Sequence, residues 1–363
     1  MARICFVCIS MRAGGTERVV SLLANELCKN HIVSIVTVND SDPFYDLDQR
    51  IDLYRGAVRA SNFSRLRRAL VVLRHLRASI KKIRPDVILS FGELISPLSR
   101  VATLGTGARF LAFNRESPMR SLRGRAGIIN PLVYPLADGV VTQTELAEQL
   151  LQRRYRFTRF SVIPNPVDIP ADVPPVETRS RRIISVGYLG GEKNQQALLK
   201  AFASTRLRNA WKLQIVGEGP DGARLVELSK SLGIADRVEF LGERKDVPEL
   251  LSDSRIFAFT SLSEGFPNAL AEALAYGCAC IAFDCVAGPS DLIRNDHNGI
   301  LISPDDQDGY CAGLQSLMCN EFQQGKYGDS ARREIRRYSK DSVIQRYTEL
   351  ALDGIEDRRQ CDS

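Results

Sequence analysis

The chain has 363 residues, 44% hydrophobic and 25% charged. This is ordinary globular usage, which excludes a disordered, collagenous or coiled-coil protein and leaves room for two domains of about 150 residues or more. No run of about 18 apolar residues occurs, so no spanning helix is expected and any membrane contact must be peripheral. The net charge of +6 is uneven: residues 1–170 carry 25 Lys/Arg against 14 Asp/Glu, the remainder 24 against 29. A basic first half calls for an anionic partner: nucleic acid, anionic lipid or a phosphorylated acceptor.

In chain order, the short apolar run from Met1 to Ser10 is followed by polar and glycine residues. It reads as a first strand rather than a signal peptide, so a cytoplasmic protein is expected. The nine cysteines agree, because Cys5, Cys8, Cys278, Cys280 and Cys285 lie in or beside strand-like runs, where a reduced thiol acts as a small hydrophobe. Cys5-x-x-Cys8 has no second ligand pair nearby, which makes it structural. β-Branched runs at 4–9, 32–38, 87–90, 110–113, 140–142 and 160–163 alternate with helical patterns. A second series follows at 183–186, 213–216, 238–241, 256–260, 280–283 and 299–302. Such alternation means βαβ units and parallel sheets, hence an α/β protein of two doubly wound, Rossmann-like domains.

Five prolines fall between Pro164 and Pro175, a composition that continues neither helix nor central strand. The expected boundaries are a first domain over 1–165, a Pro-rich linker over 166–178 and a second domain over 179–335. Helices at 329–337 and 341–357 come last, and residues 336–363 are expected to cross back to the first domain.

In open parallel sheets ligands bind beyond the carboxyl ends of the strands. After the first strand come Gly14 and Gly15, then a helical pattern through Leu27. Paired glycines admit a close ligand and the helix start offers free N–H groups, although a plain tight turn capped by Thr16 explains the residues equally well. Gly217-x-Gly219-x-x-Gly222 satisfies the dinucleotide fingerprint in form, but it follows the second strand of its domain rather than the first, against a nicotinamide site.

The densest signal is Ser261 to Gly277, with Glu264, Gly265, Phe266, Pro267, Asn268, Ala269 and Glu272. Pro267 suits a first helical turn, which would present a bare N-terminus to an anion. Glu264 sits just outside that terminus and Glu272 about five residues inside, roughly 8 Å along the axis. The two carboxylates can bracket an elongated anionic ligand. Glu272 among Ala271, Ala273 and Leu274 is otherwise a costly buried charge.

From residue 65 to 84, leucines and isoleucines at 66, 70, 73, 76, 80 and 83 recur at helical spacing. Arg65, Arg67, Arg68, Arg74, Arg77, Lys81, Lys82 and Arg84 fall on the other side, with no acidic residue among them. The pattern suits an anionic membrane surface or a lipid diphosphate. Without an aromatic residue for stacking, nucleic acid is not expected as a partner. His31, His75 and His297 are not spaced for a metal, and Asp40 and Asp42 read as a solvated turn.

Glu264 and Glu272 with the residues between them, Gly288-Pro289-Ser290-Asp291 and His297-Asn298-Gly299 together resemble family 4 of the retaining, GT-B-fold glycosyltransferases. The likeness runs from Gly14-Gly15 to the last strand. It implies two Rossmann-like domains facing an interdomain cleft and a nucleotide-sugar donor, more expectedly UDP than GDP. No metal and no other cofactor is implied.

By resemblance, Glu264 backs the reacting sugar carbon, Glu272 binds the ribose, and Lys193 neutralises the leaving diphosphate. Amides at Gly265, Phe266, Asn268 and Ala269 hold sugar and diphosphate, Gly14 and Gly15 approach the phosphates, and the base lies near 242–244. Two departures stand out. Tyr188 occupies a position where the family has arginine, with Arg244 the substitute cation, and Asn114 or Arg115 stands where many relatives place a histidine. The expected enzyme moves a hexose or N-acetylhexosamine to a lipid-linked glycan acceptor, peripherally bound to the inner face of the cell membrane. The alternatives are a weakened, transferase-like scaffold and a GT-B-fold sugar-nucleotide epimerase.

Overall fold

The first series of β-branched runs forms seven parallel strands: β1 (Arg3–Cys8), β2 (Ile32–Thr37), β3 (Asp52–Tyr54), β4 (Val87–Phe91), β5 (Arg109–Phe113), β6 (Gly139–Thr142) and β7 (Phe160–Val162). The second forms six: β8 (Ser180–Val186), β9 (Lys212–Val216), β10 (Val238–Gly242), β11 (Ser254–Phe259), β12 (Ala279–Phe283) and β13 (Ile300–Ile302). All twelve expected strands are present. β3 was not expected; it is a three-residue edge strand without a β-branched residue. The computed structural model describes residues 1–12, 14–56, 65–207 and 210–354; the side chains of Arg65 and residues 124–126, Ser64 and the end of the expected last helix lie outside the description.

Strand order is β3-β2-β1-β4-β5-β6-β7 in the first sheet and β10-β9-β8-β11-β12-β13 in the second. Both sheets are doubly wound, with the order reversing between β1 and β4 and between β8 and β11. β4, β5, β6, β11 and β12 are buried at every residue, as strands covered on both faces must be.

The helices are α1 (Gly15–Leu27), α2 (Arg65–Ile83), α3 (Ser96–Thr103), α4 (Pro118–Leu122), α5 (Gly124–Val133) and α6 (Glu145–Arg154) around the first sheet. Around the second lie α7 (Gln195–Ser204), α8 (Gly222–Ser231), α9 (Val247–Asp253), α10 (Asn268–Ala275), α11 (Pro289–Leu292), α12 (Gln307–Cys319) and α13 (Glu321–Glu334), followed by α14 (Lys340–Leu352).

Unit 1 comprises Met1–Pro166 and the chain from Asp341 onward, and unit 2 comprises Val167–Lys340. In unit 1 one sheet face packs on α1 and α14 through Phe6, Leu23 and Tyr347, the other on α2 and α5 through Leu76, Phe110 and Val133. Tyr347 of α14 stacks on Phe113 at 5.6 Å, and Phe113 on Phe91 at 4.3 Å. Arg109 adds hydrogen bonds to the carbonyls of Leu350 and Asp353 at 2.6 and 2.8 Å.

The proline-rich segment is no free tether. Val167 donates to the Tyr338 carbonyl at 2.8 Å, and the carbonyls of Pro170 and Pro174 accept from Arg332 and Arg179. Residues 167–174 therefore lie on unit 2.

The apolar face of α2 differs from the expected one. Val72, Leu76, Ile80 and Ile83 are buried, whereas Leu66 and Leu70 are exposed. At about 100° per residue, those two leucines point roughly 90–120° away from the buried stripe.

Candidate active site

In unit 2 the reversal between β8 and β11 opens a crevice at the carboxyl ends of these neighbouring strands. The turn after β8 carries Lys193 and the loop after β11 carries Glu264. Lys193 Nζ lies 2.5 Å from Glu264 Oε1, and the carboxylate side chain is only 11% exposed. Backbone contacts fix the pair: Thr260 Oγ1 donates to the Lys193 carbonyl at 3.0 Å, and Leu262 N–H to the Glu192 carbonyl at 2.8 Å. Two residues 71 positions apart are thus held at the switch point by strand order.

α10 begins beside this pair, with Pro267 as its cap and no side-chain cap bond. The backbone N–H groups of Gly265, Phe266, Ala269 and Leu270 have no hydrogen-bond partner, which is the expected anion-binding terminus. Asn268 corrects that expectation. Its N–H donates to the Phe266 carbonyl at 2.9 Å, because Pro267 at φ −81°, ψ 76° closes an inverse γ-turn. Glu272 is half-buried on the second turn, between buried Ala271 and Ala273. The β12–α11 loop borders the same place: a Cβ on Gly288 would lie 2.4 Å from Pro267 Cδ. Burial pushes the Cys285 thiol up to about 12, with the negative charges of Glu264 and Asp284 adding to it.

The second Gly-rich turn has a structural cause. A Cβ on Gly217 would lie 2.0 Å from the Gly187 carbonyl oxygen, and one on Gly219 2.2 Å from that of Leu189. These glycines let the 217–219 turn press against the backbone that leads to Lys193, and Leu189 N–H donates to Glu218 O at 2.9 Å. Tyr188 is exposed, its carbonyl accepting from Gln195 at 3.0 Å. Arg244 does not stand free as a second phosphate clamp. Its Nε and Nη2 grip Asp246 at 2.7 and 2.5 Å, a bidentate pair that occupies the guanidinium fork.

In unit 1 the corresponding reversal lies between β1 and β4. Gly14 precedes α1, which also lacks a side-chain cap; Thr16 lies inside the helix and caps nothing. The Glu17 carboxylate folds back over Gly14, where a Cβ would meet Oε2 at 2.3 Å, and Ser10 Oγ donates to Glu17 Oε1 at 3.3 Å. Glu93, after β4, is 3% exposed. Its Oε1 accepts from the N–H groups of Arg115 and Glu116 at 3.0 and 3.1 Å and from Ser121 Oγ at 3.2 Å. Burial pushes the Glu93 carboxyl up, the like charge of Glu116 adds, and the backbone hydrogen bonds oppose.

Asn114 and Arg115 separate into different roles. Asn114 is buried and donates to Ser121 Oγ at 2.7 Å and Tyr134 Oη at 3.0 Å. It braces the end of β5 and presents nothing to a substrate. Arg115 lies with its guanidinium 5.7 Å from the Phe91 ring centre, and its buried Nε has no partner. Burial pulls that guanidinium down, against the opposing effect of Tyr347 and Glu93. Glu17 and Glu93 went unremarked in the sequence, although both follow strand ends, the rule that exposed the other candidates.

On α2, Arg67, Arg68, Arg74, Lys81 and Lys82 are exposed. Lys82 lies 5.3 Å from the Tyr54 ring centre, and Arg77 is occupied by the carbonyls of Ala102 and Leu104 at 2.8 and 2.5 Å. Among the described residues no three His, Cys, Asp or Glu side chains gather to hold a metal ion. Asp42 pairs with Arg55 at 2.7 Å in an exposed turn, and no described helix is long and apolar enough to cross a membrane.

Two doubly wound units, each with polar residues at the switch point of its sheet, give the chain the GT-B architecture. The comparisons agree: the model "Glycosyltransferase Family 4" matches residues 13–170 and "Glycosyl transferases group 1" matches residues 171–340, and the chain belongs to this glycosyltransferase family. It is a hexosyltransferase. A glycosyltransferase of Haemophilus influenzae is 27% identical over 92% of this chain and 95% of its own. The Campylobacter jejuni α-1,4-N-acetylgalactosaminyltransferase that acts on a diNAcBac-PP-undecaprenol-linked saccharide is 24% identical over 96% and 98%. In structure, Anabaena HepE in complex with UDP superposes with a TM-score of 0.79 at 17% identity, covering 96% of this chain and 99% of that one.

Proposed function

We propose that this glycosyltransferase is a retaining enzyme that moves a hexose or N-acetylhexosamine from a UDP-linked donor to a lipid-linked saccharide, without a metal ion. The observation that carries the reading is the Lys193–Glu264 pair at 2.5 Å beside four unpartnered amides at the start of α10. A donor diphosphate satisfies both features at once. Its oxygens take the bare amides and exchange Glu264 for phosphate at Lys193 Nζ, while Glu272, about one and a half helical turns inside the terminus, lies within reach of the ribose hydroxyls. The freed Glu264 carboxylate then faces the sugar and stabilises positive charge growing at the anomeric carbon. Preorganised donors stabilise the departing diphosphate electrostatically.

The acceptor hydroxyl attacks from the face the diphosphate leaves and passes its proton to a departing phosphate oxygen, so configuration is kept. UDP in the Anabaena relative and a diphospho-undecaprenol saccharide in the Campylobacter one support the donor and acceptor classes. The exposed cations of α2 support peripheral attachment to the inner face of an anionic membrane.

The test is transfer from a panel of UDP-sugars to a lipid diphosphate saccharide, with the anomeric configuration of donor and product read by NMR and with EDTA present. Retention and an EDTA-insensitive rate are expected; an inverted product, or a rate restored only by a divalent cation, overturns the reading.

A further inference from the structure

Single exposed aliphatic side chains are ordinary. At the switch point of unit 1, however, Ile9, Phe44 and Leu94 are 41%, 60% and 54% exposed on the loops that follow β1, β2 and β4, three strands adjacent in the sheet. Phosphates gain nothing from such a rim, whereas a ligand with an apolar face does.

The loop that carries Phe44 is fastened on both sides of the ring. Phe44 N–H donates to the Met11 carbonyl at 2.8 Å and Asn39 N–H to that of Ile9 at 2.9 Å, and Tyr45 Oη donates to the Gly14 carbonyl at 3.3 Å. Further along, Asn25 Nδ2 donates to the Asp46 carbonyl and Asp48 N–H to Asn25 Oδ1, both at 2.9 Å. The Tyr45 ring supports Phe44 edge-on, with ring centres 5.1 Å apart and planes at 84°. These contacts set a phenyl ring with an open side beside Gly14, and the Glu17 carboxylate lies over the same glycine. Among the described residues Ser10 alone donates a hydrogen bond to Glu17, which leaves the carboxylate room for further donors.

An aromatic ring and a carboxylate at one strand-end crevice complement a pyranose, whose C–H face stacks on the ring and whose hydroxyls donate to the carboxylate. Charge narrows the choice of sugar. The segments that follow β1, β2, β4 and β5, residues 9–18, 38–48, 92–94 and 114–117, carry seven Asp/Glu against three Lys/Arg. They do so in a half of the chain that carries 14 against 25. An acidic crevice in a basic half repels a carboxylate or phosphate and admits a hydroxyl.

We propose that Phe44 and Glu17 are specificity-determining residues for the acceptor: they take its terminal sugar as an uncharged pyranose, stacked on Phe44 and donating a hydroxyl to Glu17, and reject a terminal sugar that carries a carboxylate or phosphate. The proposal deepens the reading of a saccharide acceptor and rests on it. Glu17 accepts a hydrogen bond in this role and no proton. The acceptor's own diphosphate is no obstacle, because it sits at the reducing end, away from the sugar that is extended.

The experiment uses the full chain and short-chain, water-soluble lipid diphosphate disaccharides in matched pairs that differ only at C6 of the terminal sugar, glucose against glucuronic acid and galactose against galacturonic acid. Binding is read by saturation-transfer NMR in the presence of UDP, and transfer by kcat/KM with the UDP-sugar that the wild type uses best. The wild type is expected to favour the neutral member of its preferred pair by at least about 100-fold. Glu17→Gln should narrow that ratio to about tenfold or less. Phe44→Ser should raise KM for the neutral acceptor by about tenfold, and Phe44→Trp should restore it. Melting temperature and UDP affinity should stay at wild-type values in all three variants. Equal use of both members of each pair by the wild type overturns the proposal, as does a ratio that ignores Glu17→Gln or an acceptor KM that ignores Phe44→Ser. Weakened UDP affinity in these variants also overturns it, since the residues would then serve the donor. Neutral acceptors that bind in a Phe44-dependent way but are extended from no UDP-sugar defeat the proposed reaction and leave this proposal standing, whereas absence of binding overturns it.

Discussion

The two switch points of this protein are built alike and charged differently. In unit 2 the carboxylate that follows β11 meets an ammonium from the turn after β8, and the adjoining helix start is left with bare amides. In unit 1 the helix start after β1 is shielded by its own Glu17, and the carboxylate that follows β4 is spent on backbone N–H groups. The same topology therefore produces one site poised to accept an anion and one whose anions are already in place. A doubly wound sheet supplies the location of a site, and the residues at strand ends decide which charge it welcomes.

The largest effects should come from breaking the pair in unit 2. Lys193→Ala and Glu264→Gln are each expected to lower kcat for transfer by about 10²–10³-fold, the usual cost of removing one preorganised electrostatic contact. Melting temperature should move little. Steady-state rates with saturating donor check this, and a rate within threefold of wild type for either variant would remove the pair from the chemistry.

A smaller loss is expected from the glycines that align Lys193. Gly219→Ala places a methyl 2.2 Å from the Leu189 carbonyl oxygen, an overpacking that costs about 1–3 kcal/mol. Gly191→Ala, with nothing within 4 Å, serves as its control and should stay within about 0.5 kcal/mol. Denaturant unfolding of the two variants gives the comparison directly.

Much of this was legible in the sequence because parallel strands buried on both faces announce themselves as β-branched runs, and all twelve expected strands exist. β3 was missed because an edge strand of Asp52, Leu53 and Tyr54 has no such run. The glycines, Glu264 and Glu272 could be named from spacing and Lys193 from the family resemblance, but their meeting could not, since strand order rather than separation along the chain joins residues 193 and 264. Asn268 was misjudged because an inverse γ-turn at Pro267 is invisible to helix-start rules. The pairing of Arg244 with Asp246, two residues on, is likewise a contact that no motif announced. The face of α2 was misread because a drift of 100° per residue separates Leu66 and Leu70 from a stripe that looks continuous on paper.

Within unit 1, the division between Asn114 and Arg115 can be sharpened by a pair of substitutions. Asn114→Ala strips the partner from buried Ser121 and Tyr134 hydroxyls and should cost about 1–3 kcal/mol of stability. Arg115→Met keeps the volume and removes a guanidinium whose Nε has no partner, so stability should change by less than about 1 kcal/mol. Transfer should nonetheless fall, because Arg115 stands where the resemblance places the residue beside the donor sugar. Equal stability losses in the two variants would erase the distinction.

The smallest effect, and the one that probes the contrast most directly, concerns the pH response of Glu93. Its folded pKa is raised, chiefly by burial, so the folded state favours the protonated carboxyl. The stability this contributes is present below the ordinary carboxylate range and is lost as pH rises through the raised value. Glu93→Gln preserves an Oε1 acceptor for the N–H groups of Arg115 and Glu116 but does not titrate. The melting temperature of the variant should therefore gain on that of the wild type as pH is taken from 4 to 8. A gap that stays constant over that span would mean that the backbone donors, rather than burial, govern the carboxylate after β4, and that the two switch points differ less than their geometry indicates.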